Sequence, residues 1–446
     1  MATRHDAEAV VFQLRNNNYE AYWVGGCVRD MLLGREPKDF DIVTNALPDE
    51  VLSIFPNHYL TGKKFGVVTV RVGDSVFEVA TYRSEQSYSD HRRPDKITWS
   101  TAKEDVLRRD FTINGLLYDP ISHKVTDYVD GERDLSIGLI RCIGDPVARL
   151  SEDPLRVLRA IRLKNALNMQ YDQETYRALA TAAKDIQHVA MERVGDELTK
   201  MLKDSSRLIA IQDLDQLGLL RQILPEVEAT KGTPQPKAYH QEGDVFQHLL
   251  RSVGALPKQA PSFLVWATLL HDVAKPQTVR YPSSNTGRIT TYGHAKQSAA
   301  VASRILSRMR RSREEIEVVV WLIAHHMSLA NIEQLRPVKQ ERFVLDPRFP
   351  WLLELHHADA AGAVPVDLSL YQEDLKLYRR MKQEHERQTS LVVQVLVNGH
   401  DLVEELGMVP GPEIGKMLDN IRDAQLGGQV STKLEALTFA RSILNL

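Results

Sequence analysis

The stretch from Tyr22 to Thr44 constrains the fold of this chain more than any other part, and it reads YWVGGCVRDMLLGREPKDFDIVT. The pattern predicts a short strand that runs into Gly25-Gly26, then a helix, and then a strand that opens with Asp39 and Asp41. Side chains alternate between the faces of a strand, so both carboxylates project to the same side. Two carboxylates so close repel each other unless a cation lies between them, and Mg²⁺ commonly shares such ligands with substrate phosphates. The stretch therefore predicts a unit that binds a metal ion and a phosphate.

The glycines and the helix indicate where that phosphate would lie. Gly25 and Gly26 have no Cβ atom to obstruct a close approach, and the following helix offers free N–H groups and the side chain of Arg29. A diglycine alone is an ordinary turn, and a lone Asp-x-Asp is an ordinary solvated strand end. Both motifs in one compact unit favour an active site instead.

GGCVRD followed by DFDIVT resembles the head of the tRNA nucleotidyltransferase and bacterial poly(A) polymerase family, within the DNA polymerase β superfamily. The resemblance implies that Asp39 and Asp41 hold two magnesium ions. It also implies that Gly26 and Arg29 contact the incoming nucleoside triphosphate. We therefore expect a nucleotidyltransferase head at the start of the chain.

Two further strands are predicted over 60–72 and 76–82. Glu78 lies in the second of them and could face solvent. Its place in FEVATYR resembles the third carboxylate of the family, so we predict a catalytic role for it. Residues 83–100 lack periodicity and predict a mobile loop, whose basic cluster HRR at 91–93 is either solubilising charge or functional.

The sequence LRRDFTINGLLY at 107–118 fits a helix. In a helix Asp110 and Asn114 are four residues apart and share one face, and Arg109 or Arg108 can meet a phosphate. An Arg-Arg-Asp sequence by itself is more often a surface ion pair. The stretch resembles the RRDFTINA motif of the family, with Gly115 in place of alanine, and this resemblance implies a nucleotide-binding role.

From about residue 144 the composition is typical of helices, and charged residues there form a polar stripe. Ser151 is predicted to cap a helix, and Asp153, Arg156, Arg159 and Arg162 then recur every three residues. Aspartate can accept, and arginine donate, hydrogen bonds to a base edge, although helix capping alone would also explain the acidic residues. EDPLRVLRAIRL resembles the EDxxR element of the family, in which protein side chains select the nucleotide. The resemblance implies that Asp153 and Arg156 read the base, with Arg159 and Arg162 nearer the phosphate.

Histidines and aspartates typical of a metal centre recur after residue 218. His271-Asp272 lies in the apolar sequence WATLLHDVAK, predicted as a helix, where an ionised aspartate is costly to bury unless a metal or a partner compensates. The series resembles the HD-domain phosphohydrolases, which bind one or two divalent transition metals. Such a ligand set suits Mn, Ni, Co or Fe. The implied ligands are His248, His271, Asp272, His294, His326 and Asp359.

The composition is that of an ordinary globular chain, with 446 residues, 43% hydrophobic and 26% charged. No apolar run approaches the ~20 residues of a membrane span, and two cysteines cannot build a disulfide scaffold or a zinc finger. These features favour a cytoplasmic protein without a membrane partner. The formal net charge of −3 gives no bulk basic footprint, so RNA would have to bind at a local patch. The oligomeric state stays open.

The expected fold is α+β. It comprises a polymerase β-like nucleotidyltransferase head, with a mixed sheet and helices, followed by a mostly α-helical neck and an HD-domain body. The predicted domains are the head at 1–143, the neck with the base-recognition helix at 144–217, the HD domain at 218–364, and a helical tail at 365–446 that could contact tRNA.

The resemblance implies template-independent addition of CCA, or part of it, to tRNA 3′ ends from CTP and ATP, with release of pyrophosphate and with a second, HD phosphohydrolase activity. A poly(A) polymerase that acts on other RNA 3′ ends is the nearest alternative. LTGKKFGVVTV partly resembles a segment of those enzymes but departs from it at Thr61, Gly66 and Thr69. A different alternative is an RNA-binding scaffold whose only chemistry is HD phosphohydrolysis, and the intact Asp-x-Asp pair argues against it.

Overall fold

A mixed β-sheet carries the stretch around the two glycines. The computed structural model describes residues 3–59, 66–86, 96–236, 238–281, 289–390, 395–426 and 429–444. The strands are β1 (Ala21–Val24), β2 (Asp41–Thr44), β3 (His58–Tyr59), β4 (Val67–Val72), β5 (Ser75–Thr81), β6 (Arg83–Gln86), β7 (Lys96–Trp99), β8 (Leu117–Asp119), β9 (Lys124–Thr126), β10 (Leu139–Ile140) and β11 (Gln170–Tyr171). Seven of them form one sheet in the order β3-β4-β5-β2-β1-β8-β9. β2 runs antiparallel to β1 and parallel to β5, so it lies at the centre of the sheet.

The first three helices of the chain contact this sheet, and helices make up most of the described residues that follow it. Those of the N-terminal part are α1 (Arg4–Asn16), α2 (Gly26–Leu32), α3 (Pro48–Ile54), α4 (Ala102–Leu107), α5 (Gly131–Ser136), α6 (Pro146–Glu152), α7 (Leu155–Leu167), α8 (Gln173–Ala182), α9 (Met191–Lys203) and α10 (Arg207–Gln216). The later ones are α11 (Leu220–Ile223), α12 (Pro225–Glu228), α13 (Val245–Ala255), α14 (Ser262–Leu270), α15 (Lys275–Thr278), α16 (His294–Arg308), α17 (Arg313–His325), α18 (Pro337–Val344), α19 (Phe349–Gly362), α20 (Ser369–Ser390), α21 (Gly399–Leu406), α22 (Pro412–Leu426) and α23 (Lys433–Leu444). The predicted fold class, a mixed-sheet head followed by helices, is confirmed.

The chain divides into two compact units, Met1–Ser328 with Glu354–Leu368, and Leu329–Leu353 with Ser369–Leu446. The first unit contains the sheet and both groups of sequence-predicted site residues. The second has a core of its own, in which Leu402, Met417 and Ile421 are buried. The four predicted domain boundaries stay predictions.

The helix predicted over 107–118 is wrong. α4 ends at Leu107, a single 3₁₀ turn covers Thr112–Asn114, and β8 follows. Phe111 instead forms an antiparallel bridge with Cys142. This long-range pairing takes the backbone groups that a helix would have used, so tertiary contacts override the local helical pattern.

Ser151 does not cap a helix. It lies inside α6, which Asp145 caps by accepting the backbone N–H groups of the second and third helical residues. Asp153 has an extended backbone, with φ −147°, because Pro154 disfavours the helical conformation in the residue before it. The break after Asp153 separates α6 from α7, which begins at Leu155.

Two further expectations need correction. The loop predicted over 83–100 is wrong at both ends, where β6 and β7 form an antiparallel pair. The basic cluster at 91–93 lies outside the described residues. His271 and Asp272 do not lie within the apolar helix, because α14 ends at Leu270 and both residues form the turn after it.

Candidate active sites

The sheet brings Asp41 and Glu78 side by side. Asp41 opens β2, Glu78 lies in β5, and the two are direct partners in the parallel register, with Asp39 two residues before Asp41. Surrounding protein atoms and the negative charges of Asp39 and Glu78 raise the pKa of Asp41 to about 6, although all three residues are exposed. A cation would relieve this repulsion. The three carboxylates are less tightly gathered than a closed metal cluster, since they are not among the described groups whose ligand atoms all lie within 4.8 Å.

The diglycine turn faces the same carboxylate. Gly25 precedes α2 with φ +79°, a conformation that residues with a side chain rarely adopt. A Cβ atom there would lie 3.8 Å from Asp41 Oδ2 and 3.8 Å from Arg109 Nη1. A Cβ atom at Gly26 would lie 3.6 Å from Arg29 Nη2. The structure thus brings the glycines, Asp41 and two predicted phosphate-binding arginines together.

Asp105 is a residue that was not predicted from the sequence. It is buried in α4, with 1% of its side chain exposed, and accepts hydrogen bonds from Arg108 Nη2 at 2.7 Å and Arg109 Nη2 at 2.9 Å. Burial alone would raise the pKa of Asp105, but the guanidinium groups of Arg109 and Arg108 lower it. The spacing of three and four residues to the arginines was the available signal, since such residues share a helix face.

Arg29, Asn114, Asp110 and Arg159 form one hydrogen-bonded chain. Arg29 Nη1 donates to Asn114 Oδ1 at 2.7 Å, and Asn114 Nδ2 donates to Asp110 Oδ1 at 3.2 Å. Arg159 Nε donates to Asp110 Oδ2 at 2.7 Å. Four residues predicted from three separate motifs therefore lie together, and they connect α2 to α7.

Asp110 is the centre of this chain. Burial alone would raise its pKa, but the charge of Arg159 and the hydrogen bond from Asn114 lower it to about 2. The backbone N–H of Phe111 donates a further bond to Asp110 Oδ1 at 2.8 Å. Asp110 is therefore ionised at neutral pH and fully engaged by partners within the chain.

The other members of the polar stripe also have partners within the chain. Arg156 Nη1 donates to Glu152 Oε2 at 2.5 Å, and Asp153 Oδ2 accepts from Arg193 Nη2 at 2.6 Å. Arg162 Nε donates to the buried Glu197 at 2.6 Å. Each of these three side chains is therefore tied to a residue of α6 or α9. With Arg159, the four charged residues form the ion pairs Arg156–Glu152, Asp153–Arg193, Arg159–Asp110 and Arg162–Glu197.

The six sequence-predicted ligands of the second centre lie together in two neighbouring groups of three. In each group the possible ligand atoms all lie within 4.8 Å of one another. The first group is His248, His271 and Asp359, and the second is Asp272, His294 and His326. The structure therefore gathers all six residues, which come from five segments of the sequence.

Three of these histidines are oriented in the same way. Nδ1 of His271, His294 and His326 lies 2.8, 2.7 and 2.7 Å from the carbonyl oxygen three residues earlier, so the hydrogen belongs on Nδ1. Each Nε2 is then left as an acceptor that faces the centre. Nε2 of His294 lies only 3.2 Å from Nε2 of His326. Two lone pairs at this distance fit a shared cation.

Two buried atoms strengthen the fit to a metal. His271 Nε2 and Asp272 Oδ1 are buried and have no hydrogen-bond partner among the residues that the structure describes. Burial and the neighbouring His271 lower the pKa of His326 to about 4, so His326 is a neutral imidazole that can bind a metal. Leaving such groups unsatisfied is costly, and a divalent ion would remove the cost.

A mixed sheet with carboxylates beside a diglycine turn is the arrangement predicted for a nucleotidyltransferase head, and the clustered histidines and aspartates are the arrangement predicted for an HD domain. Family models agree with both predictions. Four family models match parts of the chain. The matched models are the poly A polymerase head domain at 21–141, the probable RNA and SrmB-binding site of polymerase A at 168–231, the HD domain at 245–396 and the putative tRNA nucleotidyltransferase domain 2 at 370–440.

Curated relatives are similar over half of the chain. The CCA-adding enzyme of Oceanobacillus iheyensis is 42% identical over 218 residues, which is 49% of this chain and 54% of that enzyme. The CCA-adding enzyme of Staphylococcus aureus is 40% identical over 198 residues, which is 44% of this chain and 49% of that enzyme. The match thus spans about half the length of these relatives.

Solved structures share the fold. The Bacillus stearothermophilus CCA-adding enzyme in complex with CTP superposes with a TM-score of 0.64, at 23% identity, over 99% of this chain and 98% of that one. The Thermotoga maritima CCA-adding enzyme complexed with tRNA gives a TM-score of 0.53, at 20% identity, over 98% of this chain and 94% of that one.

The nucleotidyltransferase and HD families, whose models match this chain, both depend on metals. None of the described helices is both long and apolar enough to cross a membrane.

Proposed function

We propose that the protein adds CCA, or part of it, to the 3′ ends of tRNA, using CTP and ATP and releasing pyrophosphate. The observation that carries this proposal is the meeting of Asp41, Glu78, the Gly25 turn and Arg109 at the central strands of the sheet. The choice of substrate rests on the relatives, which are CCA-adding enzymes, and on neighbours solved with CTP and with tRNA. A cytoplasmic location fits these substrates.

In this proposal Asp39, Asp41 and Glu78 hold Mg²⁺. Magnesium bound there would lower the pKa of the attacking 3′-hydroxyl and stabilise the leaving pyrophosphate. The open backbone at Gly25 and Gly26 lets the triphosphate approach the carboxylates closely. The charges on this side come from Arg29, which Asn114 orients, and from Arg109, which Asp105 orients.

The base would be selected by Asp153 and Arg156, with Arg159 and Arg162 towards the phosphates. Each of the four already has a partner within the chain. These ion pairs support the proposal in one respect, because a selective site must hold its hydrogen-bonding groups in fixed positions. A bound base would have to share Asp153 with Arg193 and Arg156 with Glu152.

The second centre would be an HD phosphohydrolase that acts on a phosphoester such as a 2′,3′-cyclic nucleotide. Its six ligands would hold one or two divalent ions of Mn, Ni, Co or Fe, which supply an activated water when bound. The orphaned atoms of His271 and Asp272 support a bound ion rather than a packing role. Lys275, whose Nζ lies 2.5 Å from Asp272 Oδ2, would hold that carboxylate in place.

The function is tested with tRNA transcripts that end before, within and after CCA, incubated with CTP and ATP separately. We expect C to be added to the transcript that lacks CCA, A to be added only after both C residues, and no addition to the complete end. Long A tails on any RNA would show a poly(A) polymerase instead. No incorporation under any condition, with hydrolysis retained, would leave the scaffold alternative.

A further inference from the structure

His248 differs from the other histidines of the metal centre in how its ring is oriented. It lies in the middle of α13, fully buried, and its Nε2 faces Asp359 Oδ1 at 2.8 Å. Its Nδ1 lies 3.1 Å from Glu242 Oε1 rather than near a backbone carbonyl. Glu242 precedes the helix, whose N-cap is Asp244. A carboxylate outside the predicted ligand set therefore fixes this ring.

Glu242 is itself held rigidly. Its side chain is fully buried, and its second oxygen accepts the backbone N–H of Val364 at 2.8 Å. Val364 also accepts a bond from the Gln241 N–H at 2.8 Å and bridges to His240. Val364 follows α19, the helix that carries Asp359. The Glu242 carboxylate thus connects the segment before α13 to the end of α19. These two helices carry His248 and Asp359, two ligands of the same group of three.

We propose that Glu242 is a positioning residue of the HD metal centre, which holds His248 in the tautomer and orientation that present Nε2 to the metal. This inference rests on the proposed metal centre. Hydrogen bonding of a ligating imidazole to a carboxylate fixes its tautomer and raises its basicity, and loss of such a partner costs about 10–100-fold in metal affinity. Nδ1 of the other three histidines contacts a neutral backbone carbonyl. Nδ1 of His248 alone among these four contacts a carboxylate, which carries a full negative charge.

His240 offers a matched control. Its Nδ1 lies 2.8 Å from the same Glu242 Oε1, and its ring meets that of His248 edge-on with the centroids 5.1 Å apart. Replacing His240 leaves the hydrogen bond from His248 Nδ1 to Glu242 Oε1 in place. A rival explanation is that His240, Glu242 and His248 bind a further ion, because their ligand atoms also lie within 4.8 Å of one another.

The packing of α13 on α19 does not depend on Glu242. Arg251 Nε donates to the Gly362 carbonyl at 2.8 Å, and a Cβ atom at Gly362 would lie 2.2 Å from Ser252 Oγ. The two helices therefore meet in direct contact one turn beyond the metal ligands. We expect Glu242→Gln, which keeps the shape and one acceptor oxygen, to fold.

The test is metal binding by the full chain, stripped with a chelator and titrated with Co²⁺ against a competing chelator. For Glu242→Gln we expect a Kd about 10–100-fold higher, a shifted Co²⁺ absorption spectrum, and the same number of ions at saturation. Glu242→Asp, which keeps the charge, is expected to lie between this variant and wild type. His240→Ala is expected to match wild type, and nucleotide addition by the head reports folding in every variant.

Three results would overturn the inference. Wild-type affinity and spectrum in both Glu242 variants would show that the carboxylate does not position the ligand. Loss of one bound ion in Glu242→Gln and in His240→Ala alike would make Glu242 a ligand of a further ion. A wild-type protein that takes up no Co²⁺ would remove the metal centre as well, which separates failure of the proposed function from failure of the inference.

Discussion

Asp105 shows how a single buried carboxylate can set the geometry of a predicted phosphate-binding site. It accepts bonds from Arg108 and Arg109, and Arg109 Nη1 lies beside the Gly25 turn. An arginine has many rotamers, and fixing one of them before the substrate binds removes part of the entropic cost of binding. The position of the charge is therefore built into α4 and does not await the nucleotide.

Asp105→Asn is expected to weaken triphosphate binding. Hydrogen bonds between charged groups contribute about 1.5–3 kcal/mol, so kcat/KM for CTP and ATP should fall about 10–100-fold, mainly through KM. Steady-state kinetics with a tRNA that lacks CCA measures this. Lys103→Ala, at an exposed position of the same helix, is the control. An unchanged KM in Asp105→Asn would show that Arg109 does not act on the triphosphate.

Arg156→Ala is expected to damage base selection more than triphosphate affinity. Its guanidinium donates to Glu152 and to the carbonyl oxygens of Arg149 and Arg108. Among the residues that the structure describes, it makes no hydrogen bond to Asp110 or Asn114, which Arg159 and Arg29 contact. Asp153→Ala should change the balance between CTP and ATP in a different way, because it removes an acceptor rather than a donor. Competition among the four triphosphates measures this. Wild-type discrimination in both variants would make the two residues purely structural.

At the residue scale, side chains that belong to an unusual sequence pattern were predicted. The side chains that form hydrogen bonds to them and hold them in position were not. His271-Asp272 stood out because an ionised aspartate in an apolar stretch needs a compensating partner. Asp105 and Glu242 did not stand out, because a carboxylate near a helix start is ordinary in any sequence. Their importance comes from burial, and burial depends on which segments pack together in three dimensions.

At the scale of elements, the pair Asp110–Arg159 connects the segment before the 3₁₀ turn to α7. Asp110 has a pKa lowered to about 2, below the ~3.9 of an unfolded aspartate. A lowered carboxyl pKa contributes stability above the unfolded value, and that stability is lost as the pH falls from about 4 towards about 2. The ion pair between Asp110 and Arg159 therefore stabilises the protein at neutral pH and stops doing so in acid.

Asp110→Asn is expected to destabilise the protein by about 2 kcal/mol at pH 7, and by progressively less as the pH falls below about 4. Thermal unfolding of wild type and variant across this pH range measures the difference. Asp74→Asn, in the exposed turn between β4 and β5, is the control and should show no such trend. A difference that stays constant down to pH 2 would contradict the assigned ion pair.

Strands with clear alternation were predicted well, and helices that depend on distant partners were not. β1 was predicted as a short strand that runs into Gly25-Gly26, and it is observed there, because four apolar residues before a diglycine leave few alternatives. The helix over 107–118 was wrong because Phe111 pairs with Cys142, about thirty residues away. No local pattern reveals such a partner, so sequence reasoning found the motif at 107–118 but not its conformation.

At the scale of the whole molecule, the two proposed chemistries share no residue. Asp39→Ala or Asp41→Ala is expected to reduce nucleotide addition below about 1% of wild type, since loss of a metal ligand costs several kcal/mol in the transition state. Hydrolysis by the HD centre should be unaffected. His271→Ala combined with Asp272→Ala should give the opposite result. Parallel assays of both activities on each variant measure this, and loss of both activities in either variant would contradict independence.

The two sites also differ in ligand chemistry, and this difference predicts opposite responses to metal ions. The head offers carboxylate oxygens from Asp39, Asp41 and Glu78, which suit a hard ion such as Mg²⁺. The HD centre offers four imidazole nitrogens with two carboxylates, a set that favours Mn, Co, Ni or Fe. Mg²⁺ binds imidazole poorly, so it should not satisfy Nε2 of His294 and His326, which face each other at 3.2 Å.

After all metals are removed with a chelator, Mg²⁺ alone is therefore expected to restore nucleotide addition but not hydrolysis of a 2′,3′-cyclic nucleotide. Co²⁺ or Ni²⁺ is expected to restore hydrolysis and to remain bound after gel filtration, because a site of six converging ligands releases its ion slowly. Both activities are measured on the same sample, with metal content determined by mass spectrometry. The head should lose Mg²⁺ in the same step, since its carboxylates are open to solvent. Hydrolysis restored equally by Mg²⁺, with no retained transition metal, would contradict the assignment of a transition metal to the histidines of this centre.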